Sequence, residues 1–153
     1  MANTDDSIKR EDPFDLNRFI TAQERIYDSV LAELRSGQKS SHWMWFVFPQ
    51  IVGLGRSPTA QHYAIKSIDE ARAYLNDSVL GARLLECAEI LEGIEGRSAS
   101  AIFGYPDDLK LRSSMTLFAS IAEDPHSVFV RVLEKYFEGE PDVRTLELLE
   151  NLA

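Results

Sequence analysis

The stretch Ser41 to Gly55, SHWMWFVFPQIVGLG, decides the fold class. Its aromatic and β-branched content is that of a strand, and a strand here would make the chain mixed α/β. No second segment offers a pairing partner, and the run is short and lies between helical patterns. It therefore reads as a short buried helix leading into a loop punctuated by Pro49, Gly53 and Gly55. The expected fold class is all-α: a single compact domain of six to eight helices with no significant sheet.

Working outward, Leu16, Phe19, Ile20, Gln23, Ile26, Tyr27, Val30, Leu31 and Leu34 recur at three- and four-residue steps, the mark of one amphipathic helix. Asp15 suits its start and Gly37 its end. Ser67 and Glu70 form a capping box ahead of a helix to about Leu75. Asp77 or Ser78 opens the next, with Leu80, Leu84, Cys87, Leu91 and Ile94 inward. A single turn over Ser98–Phe103 stops at Gly104. Pro106, Asp107 and Asp108 then begin a helix whose stripe is Leu111, Met115, Phe118 and Ile121. Asp124 and Pro125 read as the start of another helix with Phe129 and Leu133 in its stripe. Asp142 opens a last one with Leu146, Leu149 and Leu152 inward. Phe19, Leu84, Cys87, Phe118, Phe129 and Leu133 are expected to share one core.

Composition bounds the class. With 153 residues and 44% hydrophobic content, one domain is expected. Residues 1–12 read as a disordered arm and 13–152 as the helical domain; the polar start resembles neither a secretory signal nor a transit peptide. The longest uncharged apolar stretch, Trp43 to Leu54, falls short of the roughly 20 residues of a membrane span. The single cysteine, Cys87, leaves no internal disulfide and points to a reducing compartment, the cytoplasm. A net charge of −9 argues against non-specific binding to nucleic acid or anionic lipid. Yet no Asp or Glu occurs from Ser36 through Ile68, while Lys39, His42, Arg56, His62 and Lys66 do. That window should present a neutral or locally positive surface, unless it is mostly buried aromatic core.

No nucleophile elbow, phosphate-binding glycine loop or metal-spaced Cys/His set is present, so neither a metal nor a cofactor is expected. Two segments stand out instead. KSSHWMWFVFPQIVGLG (Lys39–Gly55) and DDLKLRSSMTLF (Asp107–Phe118) together resemble the paired hallmark of a bacterial family, domain of unknown function 1810. DPFDLNRF (Asp12–Phe19), YAI (Tyr63–Ile65), EARAYL (Glu70–Leu75) and TLELL (Thr145–Leu149) fit it too. The resemblance implies an all-helical single domain without an established activity. Some members are labelled calpastatin; that label conflicts with capped, apolar-striped helices, since calpain inhibitors are largely disordered and polar.

The aromatic segment has two readings. The tryptophans and phenylalanines could serve only as core. Alternatively Trp43 or Trp45 walls a slot for a planar ligand, with His42 and Gln50 at its edge. Lys110, Arg112, Ser113 and Ser114 likewise form either a solvated face or an anion site; Asp108 and Arg112 are spaced for a surface ion pair. The leading expectation is a small anionic or nucleotide-like ligand bound between the two segments by Lys39, His42, Trp43, Trp45, Gln50, Lys110, Arg112 and Ser113. One alternative is a protein-interaction module using the aromatic segment. Another is a hydrolase or transferase on a nucleotide or ADP-ribose-type bond, with His42 as acid or base and Asp107 or Asp108 steadying a cationic transition state.

Overall fold

The computed structural model describes residues 12–152. Of the expected arm only Asp12 falls within them; the rest of it lies outside the described residues. Among the described residues ten helices follow in order: α1 Asn17–Glu24, α2 Tyr27–Ser36, α3 Met44–Val47, α4 Pro58–Tyr63, α5 Ile68–Asn76, α6 Leu80–Gly93, α7 Ala99–Phe103, α8 Asp107–Ile121, α9 Val128–Phe137 and α10 Val143–Leu152. Extended pairing among the described residues is limited to one isolated parallel bridge between Ile51 and Ile65. The all-helical reading of the tryptophan segment is thus correct: its centre is α3.

The helix count exceeds the expected six to eight for two physical reasons. First, the single helix read over Leu16–Leu34 breaks at Arg25 and Ile26. Its halves have different partners, α1 packing on α3 and α2 on α6, which one straight helix could not reach together. Gln23 marks the break. It is buried, with Nε2 donating to Phe46 O and Tyr74 Oη and with Oε1 accepting from Arg83. Second, the stretch between Gly55 and Ser67, to which the sequence reading assigns no element, contains α4. Ser57 caps it by accepting from Ala60 N, and Pro58 occupies the first helical position.

Several caps also shift. Asp12, not Asp15, receives the first amides of the chain's opening turn, those of Leu16 and Asn17. Asp15 instead takes a positive φ of 54°. The Ser67 hydroxyl caps α5 as expected, while Glu70 reaches back to Lys66 N rather than Ser67 N. Asp77 accepts from Val79 N and Leu80 N ahead of α6. Asp124 closes a turn onto His126 N, so α9 starts only at Val128, capped by Ser127.

Helix α8 is the axis of the fold, packing on α5, α7, α9 and α10. Its burial therefore extends beyond one stripe to Leu111 and the unbroken run Ser113–Phe118. A solvated face at Ser113 and Ser114 is ruled out. The six expected core residues all join one cluster, in which Phe118 contacts Tyr74 and Phe129 at 5.5 and 5.8 Å between ring centroids. Burial pushes the Cys87 thiol up to about 12, which leaves it an inert packing group. On α10 the inward residues are Thr145 and Leu149, whereas Leu146 and Leu152 are exposed. No helix among the described residues is long and apolar enough to cross a membrane.

Because Phe129 is 1% exposed and wedged between α8 and α6, Phe129→Ala should cost about 3–5 kcal/mol in urea denaturation. A loss below about 1 kcal/mol would show that the site collapses around the cavity.

Candidate functional site

The loop that follows α2 brings the two segments together. Gly37 ends α2 in the left-handed conformation, and the chain then folds back over the side chain of Glu33. That carboxylate accepts from Ser40 N at 2.8 Å, Ser41 N at 3.0 Å, Ser41 Oγ at 2.6 Å and Trp43 Nε1 at 2.9 Å. Burial opposes its charge, but the four hydrogen bonds outweigh burial and hold it down at about 2. Trp43 is thereby pulled into the core against Phe48 and Phe103. The indole is structural.

Lys39 extends over Trp43, its Nζ 5.0 Å from the ring centroid. The side chain is only 5% exposed, and the ammonium donates to Ser41 O and pairs with Asp107 Oδ2 at 2.8 Å. Asp107 is the first residue of α8, and its other oxygen lies 3.5 Å from Lys110 Nζ. Lys110 in turn stands over Trp45, 5.4 Å from that ring's centroid. One carboxylate thus bridges two lysines, each set on a tryptophan. Trp45 is half-buried, so part of this cluster meets solvent. Beside it a slot of about 10 Å³ is lined by Trp45, Gln50, Gly55, Ala60 and Tyr63.

The remaining expected site residues go elsewhere. His42 is exposed. Asp108 turns back onto Leu109 N, and it does not pair with Arg112. Arg112 reaches across to α9 and the chain beyond it, donating to Glu140 O at 2.9 Å, pairing with the Glu140 carboxylate and covering Phe137. Ser113 is buried, its hydroxyl bonded to Leu109 O and Asp142 Oδ2. With Thr116 and Thr145, which also bond Asp142, it docks the start of α10. Helical geometry separates Arg112, two residues from Lys110 and on the far side of α8, whereas Ser113, one turn beyond Lys110, is withdrawn by its burial against Asp142. Lys39, Trp43, Trp45, Asp107 and Lys110 converge; Arg112 and Ser113 do not.

Two further concavities lie apart from this cluster. A groove of about 650 Å³ sits at the opposite end of α8, near Ile121 and Phe129. Another, of about 540 Å³, flanks Arg18. There the guanidinium donates to Phe14 O, Asp15 O, His62 O and Ala64 O and pairs with Glu70 at 2.6 Å. Its donors are spent on holding α1 to the start of α5. Sequence reading missed Arg18 and Glu33. Arg18 finds Glu70 far along the chain and Glu33 finds Ser40, Ser41 and Trp43 beyond the end of its helix, and local periodicity carries no signal for either.

A family model described as "Protein of unknown function (DUF1810)" matches residues 13–149. The chain belongs to that family. Both segments of the cluster lie inside the matched range. A crystal structure of the conserved hypothetical protein Rv1873 from Mycobacterium tuberculosis is 55% identical, with a TM-score of 0.88, covering 91% of this chain and 99% of that one. No curated protein shows a significant match. Membership of DUF1810 supplies the fold and no activity.

Glu33 titrates at about 2 when folded and near 4.5 when free, so the stability it contributes is complete above about pH 4.5 and is lost as pH falls toward 2. Glu33→Gln should destabilise the protein at pH 7, and the gap to wild type should narrow toward pH 2. Thermal melts across that range check this; a gap independent of pH would contradict it.

Proposed function

We propose that this chain binds a small planar ligand carrying an anionic group, of nucleotide-like chemistry, on the face where Trp45 meets Lys110. The supporting observation is the state of the Lys110 ammonium. It stands over a half-buried indole, and among the described residues its ion-pair contact, to Asp107 Oδ1, is a loose 3.5 Å. An ammonium has three protons to donate, so capacity remains for a phosphate or carboxylate. Lys39 has no such capacity to offer the solvent, being enclosed and matched to Asp107 and Ser41 O. The anion-binding role expected of both lysines therefore falls to Lys110 alone. An exposed portion of Trp45 supplies a stacking surface worth roughly 1–3 kcal/mol for a flat ring.

The other two readings have less support. An interaction module needs a broad apolar surface, but Trp43, Met44, Val47 and Phe48 are buried. For a hydrolase or transferase, Asp107 is engaged by two lysines and Asp108 by its own backbone.

The chain contains two tryptophans, so intrinsic fluorescence reports on this cluster directly. Titration with AMP and ADP-ribose should give saturable quenching that is absent in Trp45→Phe and in Lys110→Ala. The lysine variant should change stability by no more than about 0.5 kcal/mol. Asp107→Ala should instead cost about 3–5 kcal/mol, because it leaves Lys39 buried without its partner. Absence of saturable quenching with either nucleotide, or quenching that survives in Lys110→Ala, would remove the proposal.

A further inference from the structure

The slot beside Trp45 has no part in the packing of α8, and it is built from groups that other contacts hold in place. Gln50 is fixed through its backbone: its carbonyl accepts from Ile65 N at 2.9 Å, and Val52 N donates to Ile65 O at 2.8 Å. Tyr63 is fixed through its ring, with Phe46 at 5.3 Å, Phe19 at 5.8 Å and His62 at 4.6 Å between centroids. The wall opposite is closed by Gly55, where a Cβ would lie 2.4 Å from the Ala60 Cβ. Any larger residue at Gly55 would push α4 off the loop.

Two residues with polar side chains, Gln50 and Tyr63, line this rigid space. Among the described residues, neither the Gln50 carboxamide nor the Tyr63 hydroxyl has a hydrogen-bonding partner, although both side chains are half-buried. Neither group is shut away from solvent, so each keeps its hydrogen-bonding capacity for a ligand. A carboxamide offers both donors and an acceptor, and a phenol offers one donor and an acceptor. The volume of about 10 Å³ admits one water-sized group and excludes a ring.

We infer that this slot is a specificity site that receives a single exocyclic oxygen or amino group of the planar ligand, with Gln50 and Tyr63 as its hydrogen-bonding pair. This rests on the ligand face at Trp45 and Lys110 and adds the substrate class: an oxo- or amino-substituted heterocycle rather than an unsubstituted one. The ring lies outside against Trp45, its substituent enters the slot, and its anionic group reaches Lys110. Gly55 and Ala60 set the depth, which excludes a bulkier substituent.

The test uses three probes that share ribose and phosphate: purine riboside 5′-monophosphate, which lacks an exocyclic group, inosine 5′-monophosphate and adenosine 5′-monophosphate. Quenching of Trp45 should give an affinity roughly tenfold or more higher for the oxo or the amino compound than for the unsubstituted one. Tyr63→Phe and Gln50→Ala should each reduce that preference while leaving affinity for the unsubstituted compound unchanged. Thermal melts establish that both variants remain folded, and Tyr63→Phe, which removes only an oxygen, retains the ring packing. Equal affinity for all three probes, or a preference that survives in both variants, overturns the slot while the Trp45–Lys110 face stands. Absence of quenching by all three probes overturns both.

Discussion

A lysine ammonium that is enclosed by protein needs an anion beside it, and among the described residues Asp107 supplies it to Lys39. That requirement joins the loop after α2 to the first turn of α8. The side chain also lies along Trp43, whose indole nitrogen is bonded to Glu33, so loop, indole and helix start are positioned as one unit. Lys110 and Trp45 inherit their juxtaposition from it. Were Asp107 unable to reach Lys39, α8 would have no electrostatic reason to begin against the tryptophan segment.

The same logic repeats at two other junctions. Arg18 and Glu70, nearly enclosed, tie α1 to the start of α5. Asp142, bonded by Thr116, Ser113 and Thr145, ties α10 to α8. In each case a buried polar group has its hydrogen bonds met by a distant segment. Apolar stripes alone would tolerate several helix arrangements, and such pairings favour one of them. Ser114 is the exception, since its buried hydroxyl has no hydrogen-bond partner among the described residues.

These pairings also change the meaning of the acid-free window from Ser36 to Ile68. Read along the chain, it suggests a neutral or positive surface. In the fold, Lys39 is neutralised by Asp107, and the carboxylates of Glu33 and Glu70 bond backbone amides of the window at Ser40, Ser41 and Lys66. Carboxylates from outside the window are folded into it. Lys39 is thereby withdrawn from the positive surface that composition implied, while Arg56 and His42 stay exposed. The family relationship spans nearly the whole chain, yet its description names no function, so any reading of activity must come from this local chemistry.

The sequence by itself determined the helical class, the shared core and most helix ends, because 3.6-residue periodicity and capping chemistry are local properties. It also singled out the two segments that meet at the candidate site. It could not show that Leu16–Leu34 breaks in two, since that break follows from α1 and α2 having different packing partners. Nor could it separate Lys110 from Arg112, which are two residues apart and equally basic. Tertiary structure decided between them, because the turn of α8 faces Lys110 toward Trp45 and Arg112 toward Glu140. Glu33, Arg18 and the partnering of Lys39 were likewise settled only in three dimensions: a shielded charge takes whichever opposite charge or hydrogen-bond donors the packing brings within reach.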